Sequence, residues 1–72
     1  MTGRPFHLTP RQRLTLRLIA EGCTDQEIAV RRGIGERTVH THVRDIRWAI
    51  GARNRAHAVA IGYQLGLIGG DR

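Results

Sequence analysis

The sequence predicts an all-α fold of four short helices, and three observations carry that prediction. Apolar residues recur at three- and four-residue steps in each of four segments, the spacing of one face of a helix. Thr9, Thr24, Gly35 and Asn54 stand immediately before those segments, where residues of these types cap helix N-termini. Glycines at 22, 33, 51 and 66 stand just after them, where chains commonly leave a helix. The predicted helices cover residues 10–21, 25–32, 36–50 and 55–65. They belong to one domain over residues 8–68, preceded by a flexible arm at 1–7 and followed by a frayed tail at 69–72. At 72 residues the core is small. Chains of this length bury only about 60% of the surface that unfolding exposes.

The first helix opens on Thr9, with Pro10 at its first position and Gln12 three residues after the cap, and it stops at Gly22. Leu16, Ile19 and Ala20 form its expected inward face, and Leu14 and Leu18 widen it. In the second helix Thr24 and Glu27 have the spacing of a reciprocal capping box, and Asp25 sits in the positive first turn. Ile28 and Ala29 face in. Gly33-Ile34-Gly35 then breaks the chain: Gly33 suits a left-handed residue, Ile34 is an apolar plug, and Gly35 serves as a modest N-cap.

Residues 36–50 divide into two faces. Val39, Val43, Ile46 and Ile50 make an apolar stripe, while Arg37, His40, Thr41, Arg44 and Trp48 gather on the opposite side. Two short helices joined by a Gly-containing turn form a helix-turn-helix, which sets the second helix steeply against the first. The fourth helix starts after Asn54 and is rich in small residues. Ala58, Ile61 and Leu65 are expected in the core. Val59 and Tyr63 lie on another, apolar face that suits a partner helix, here a second copy of the chain. Leu67 and Ile68 can tuck back from the tail.

Charge indicates what the polar face of the third helix meets. Twelve basic residues, all Arg, oppose six acidic ones for a net charge of +6, and the isoelectric point is near 11.5. So basic a balance in a small domain points to a polyanion. Arginine forks also match phosphate and guanine edges better than lysine does. The proposed contact is the major groove of double-stranded DNA. Arg44 either reads guanine or holds a phosphate, and Thr41 is placed to touch a thymine methyl. His40 and His42, two residues apart on a helix, point to different sides, so zinc is not expected. Cys23 is the only cysteine, excludes an internal disulfide and reads as a small hydrophobe at a helix junction. No nucleophile–base or paired-carboxylate pattern suggests an enzyme. No cofactor or small-molecule ligand is expected. With no signal peptide and no apolar run near about 20 residues, a cytoplasmic location is expected.

These segments resemble the LuxR/GerE-type DNA-binding domain of bacterial transcription regulators. The resemblance rests on LTPRQR (8–13), LRLIAEG (16–22), QEIAVRRGIGERTVHTHV (26–43) and GARNRAHAVAIGYQLGLI (51–68). It implies a dimer that binds DNA with the third helix in the major groove and pairs through the fourth, at Val59 and Tyr63. The base-reading positions match His40, Thr41 and Arg44. Backbone contacts match Thr38 and His42, with Thr24 and Gln26 at the start of the second helix, and Arg37 on the same outward face joins them.

Departures from the family pattern are concrete. Gln12 replaces a usual Glu, Gly35 a usual Ser or Thr cap, and His40 a common Lys. Arg47 and Trp48 stand where Leu and a basic residue are usual. Trp48, near the helix C-terminus, is expected to pack against the neighbouring loop or the fourth helix. The chain resembles the free-standing members of the family, or a fragment of a larger regulator. An alternative reading is an interaction module whose fourth helix pairs with a larger regulator or with RNA polymerase.

Overall fold

A computed structural model describes residues 8–69 and contains α1 (Pro10–Ala20), α2 (Asp25–Arg32), α3 (Glu36–Ile50) and α4 (Arg55–Gln64), with no strand among the described residues. The arm at 1–7 and the tail beyond 69 lie outside the described residues. Helices α1 and α4 each end one residue earlier than expected; the other bounds agree. None of the described helices is long and apolar enough to cross a membrane.

The caps form as the sequence dictates. Thr9 Oγ1 accepts the Gln12 backbone N–H at 3.1 Å, and Gln12 Oε1 accepts that of Thr9 at 2.9 Å. Glutamine therefore closes the box without a charge. Thr24 and Glu27 close a second box at 3.1 and 2.8 Å. Asn54 Oδ1 accepts the His57 N–H at 2.8 Å. Gly33 and Gly51 end α2 and α3 in the left-handed conformation, with φ of 68° and 72°. That geometry penalises any residue with a Cβ.

Helix α3 packs against each of the other three helices. Its stripe of Val39, Val43, Ile46 and Ile50 is buried and meets Leu16, Leu18 and Ile19 of α1, Ile28 and Ala29 of α2 and Ala58 of α4 in one core. Each fully buried aliphatic side chain of this size contributes about 1.5–3 kcal/mol. Thr15 is also buried and was not foreseen, although it lies four residues before Ile19 on the inward side. Its hydroxyl is satisfied by the Arg32 guanidinium, which ties the end of α2 to α1.

Two core expectations need correction. Leu14 is exposed, because it lies about 160° around the helix from Leu16 at 100° per residue, and α1 is covered on one side only. Leu65 is exposed as well. Helix α4 ends before it, the chain reverses at Gly66 (φ 71°), and the Leu67 N–H returns to the Gly62 carbonyl at 2.8 Å. Ile68 then takes the core position expected of Leu65, and Leu67 is half-buried beside it. Gly69, assigned to a frayed tail, lies under the Tyr63 ring.

This return depends on Gly62. A Cβ there would stand 2.9 Å from Leu16 Cδ2 and 3.1 Å from Ile68 Cδ1. Alanine gains about 1 kcal/mol in helix propensity, but overpacking a buried contact costs about 1–3 kcal/mol. Gly62→Ala should therefore lose about 1 kcal/mol in urea unfolding; a gain would mean that the Ile68 turn yields freely.

Candidate nucleic-acid interface

The geometry of the face follows from how α3 is held. Its inner stripe fixes its rotation about its own axis, and α2 braces its N-terminal half. Gly35 precedes it in an extended conformation with no side-chain cap, so the first turn lacks the hydrogen bond that Thr9 and Thr24 supply to α1 and α2. With its inner face closed, α3 presents Arg37, Thr38, His40, Thr41 and Arg44 to the outside, all exposed, while His42 is half-buried at the edge. At the start of α2, Thr24 and Gln26 are also exposed. The Thr24 oxygen already accepts the Glu27 N–H, which leaves its hydroxyl proton for an outside acceptor.

Two members of the face are not independent. The Arg44 guanidinium lies over the Trp48 ring, 5.7 Å from its centroid, and its Nη2 is 3.5 Å from the neighbouring Asp45 carboxylate. Trp48 itself is 76% exposed. The expected packing of Trp48 on the loop or on α4 does not occur. Positions 44 and 48 are one helical turn apart, and a cation over the indole face is the nearer partner. The ring thus extends the open face by one turn.

The loop contact expected of Trp48 is made instead by Arg47. This half-buried residue, which replaces an aliphatic one, donates from Nη2 to the Arg53 carbonyl at 2.8 Å. Its Nε is buried and has no partner among the described residues. His57 Nδ1 accepts the Arg53 N–H at 2.9 Å and completes the turn.

Sequence reasoning missed a second arginine. Arg55, the first residue of α4, donates to the Asp25 carboxylate and, at 2.9 Å, to the Cys23 carbonyl. Asp25 also faces His40, whose Nδ1 lies 3.2 Å from Oδ2. The capping pattern gave Asp25 a favourable place at a helix N-terminus; nothing in the local sequence linked it to residues 15 and 30 positions away.

The surface assigned to pairing is only partly free. Val59 is half-buried against the core, whereas Tyr63 is 53% exposed, with one side of its ring over Gly69. Exposed Leu65 lies two residues beyond it. Cys23 is half-buried with a free thiol, as a small apolar residue at the α1–α2 junction would be. The described residues contain no cluster of three metal-ligating side chains.

A packed α2–α3 pair joined by the turn at 33–35, with an open outer face that carries Arg37 and Arg44, defines a helix-turn-helix domain. Residues 7–62 match the family described as GerE, bacterial regulatory proteins of the luxR family, and the chain belongs to that family. It is 43% identical over 54 residues to the probable transcriptional regulatory protein SgaR of Hyphomicrobium methylovorum, covering 75% of this chain and 26% of that protein. It is 36% identical over 61 residues to the transcriptional regulatory protein YdfI of Bacillus subtilis (strain 168), covering 85% and 29%. The transcriptional activator protein PhzR of Pseudomonas fluorescens shares 45% identity over 53 residues, covering 74% and 22%. The chain thus spans about a quarter of the length of these relatives. In three dimensions it superposes on the transcription factor GerE with a TM-score of 0.84 and 26% identity, covering 94% of this chain and all of GerE. Family and relatives are transcription regulators rather than enzymes.

The bare N-cap of α3 offers a direct test of how the face is held. A Cβ at Gly35 would meet only Thr38 Oγ1, at 3.9 Å, and the backbone there is ordinary for any residue. Gly35→Ser should add a cap and restrict the unfolded chain, raising stability by about 0.5–1 kcal/mol. Thermal melting that is unchanged or lower would show that the first turn is already fully held.

Proposed function

We propose that this DNA-binding regulator of LuxR/GerE type recognises a specific double-stranded sequence as a homodimer, with α3 of each copy in the major groove of one half of an inverted repeat. The observation that carries the reading is the division of α3. Its four aliphatic residues are buried, while a continuous row of hydrogen-bond donors stands open on the other side of a chain with a net charge of +6. In this reading His40, Thr41 and Arg44 meet base edges, and Arg37, Thr38 and His42 meet phosphates. Thr24 and Gln26 hold the backbone from the N-terminus of α2, where the helix dipole favours an anion. Phosphate contacts set the register, and base contacts discriminate.

Tyr63, with Val59 beside it, is the proposed pairing surface. Pairing through α4 places two α3 helices on one side of the duplex, and two-fold symmetric readers require half-sites about 10 bp apart. The exposure of Tyr63 and Leu65 also suits the second reading, an interaction module that pairs with a larger regulator or with RNA polymerase. Selection of bound sequences from random DNA, run beside a sizing measurement, separates the two. Enrichment of an inverted repeat with salt-sensitive binding supports the first, and a clean dimer without DNA binding supports the second.

Two outcomes follow for the first reading. Arg44→Ala should weaken binding by about 1–3 kcal/mol and relax preference at one base position; a variant that keeps the parent's affinity and preference would remove Arg44 from the reading face. Tyr63→Asp should leave the domain folded but make binding to an inverted repeat no tighter than binding to a single half-site, measured by titration on both DNAs. Cooperative binding that survives would place the pairing surface elsewhere.

A further inference from the structure

The reading face has a support that the helix pattern does not show. Helices α2 and α4 are not packed neighbours, yet Arg55 reaches from the first turn of α4 to the first residue of α2. One of its guanidinium nitrogens donates to Asp25 Oδ1 and the other to the Cys23 carbonyl. The Asp25 side chain is only 12% exposed, so its orientation is set by this clamp and by its place at the N-terminus of α2. Its second oxygen, Oδ2, stands 3.2 Å from His40 Nδ1 on α3. The His40 side chain is otherwise open, 69% exposed.

An ionised carboxylate only accepts hydrogen bonds. A carboxylate this close favours ring orientations that turn the Nδ1 edge toward it. Nε2 is then the nitrogen left to meet DNA. An exposed histidine on a helix samples several rotamers, and a reader that must be ordered on binding loses part of its discrimination to that ordering. A fixed, charged partner removes much of that freedom beforehand.

We infer that Asp25 is a positioning residue for base recognition: clamped by Arg55, it fixes the orientation of His40 and thereby sharpens preference at the base pair that His40 meets. This inference rests on the reading of α3 as the DNA-reading helix. It also carries a signature that simple structural support lacks. Removing Asp25 deletes a negative charge beside the proposed phosphate-binding turn and frees the Arg55 guanidinium, so sequence-independent affinity should rise while discrimination falls. A damaged fold lowers both.

The test uses the 72-residue chain and a matrix of single-base changes in its selected sequence. Asp25→Ala should reduce discrimination about tenfold at the position that His40→Ala also relaxes, should leave the Arg44 position unchanged, and should bind unrelated DNA more tightly. Asp25→Asn, which keeps the size but leaves one acceptor oxygen where two are used and puts an amide donor in place of the other, should relax the same position as Asp25→Ala does. In a His40→Ala background, Asp25→Ala should change discrimination no further. The proposal is overturned if Asp25→Ala leaves the matrix as in the parent, if it relaxes all positions equally with a lowered melting temperature, or if His40→Ala alters no position. Failure of the underlying reading looks different: the parent chain would then select no sequence, and Arg44→Ala would change nothing.

Discussion

Four branched aliphatic side chains along one edge of α3 hold this domain in its arrangement. Val39, Val43, Ile46 and Ile50 touch every other helix through the common core, so α3 cannot rotate without exposing them. Burial of that edge decides which residues face outward, and its loss would cost several kcal/mol in a chain too small to spare it. The open face is thus a consequence of packing. His40, Thr41 and Arg44 are outside because the residues beside them are inside.

Around that seam the domain uses arginine for two different tasks. Arg32, Arg47 and Arg55 are partly buried and donate inward, to the Thr15 hydroxyl, the Arg53 carbonyl and the Asp25 carboxylate with the Cys23 carbonyl. Each satisfies acceptors on a different element from its own, which the reach and planar fork of a guanidinium permit. Arg37 and Arg44 lie on the exposed face of α3. Part of the basic complement is thus structural, although Arg32 and Arg47 donate to uncharged oxygens and keep their charge. Asp25 lies at the boundary between the two tasks, paired with a structural arginine on one side and facing a residue of the outer face on the other.

The family likeness and the departures from it fit the same account. Gln12 replaces a carboxylate yet closes its capping box, because the box needs an acceptor oxygen rather than a charge. Gly35 leaves the first turn of α3 without a side-chain cap, and α3 is held instead by its packing on the other three helices. Arg47 stands where the family pattern has an aliphatic residue and supplies the α3–α4 junction with a hydrogen bond, its Nε buried without a partner among the described residues. Trp48 takes no part in that junction and lies open beneath Arg44.

Local chemistry was enough for much of this. Caps, glycine stops and the three-and-four spacing act over a single helical turn, so the four helices, their bounds to within one residue, the inward stripe of α3 and the outward set of Arg37, His40, Thr41 and Arg44 were all legible in the sequence. Leu14, Leu65, Trp48, Thr15 and Arg55 were not. Whether an apolar residue at the margin of a stripe is covered depends on where another helix happens to pass, and the chain reversal at Gly66 brings Ile68, rather than Leu65, into the core. The link from Arg55 through Asp25 to His40 joins residues 15 and 30 positions apart on three helices. No periodicity encodes such a contact, because it exists only once the buried seam of α3 has brought the three helices to one place.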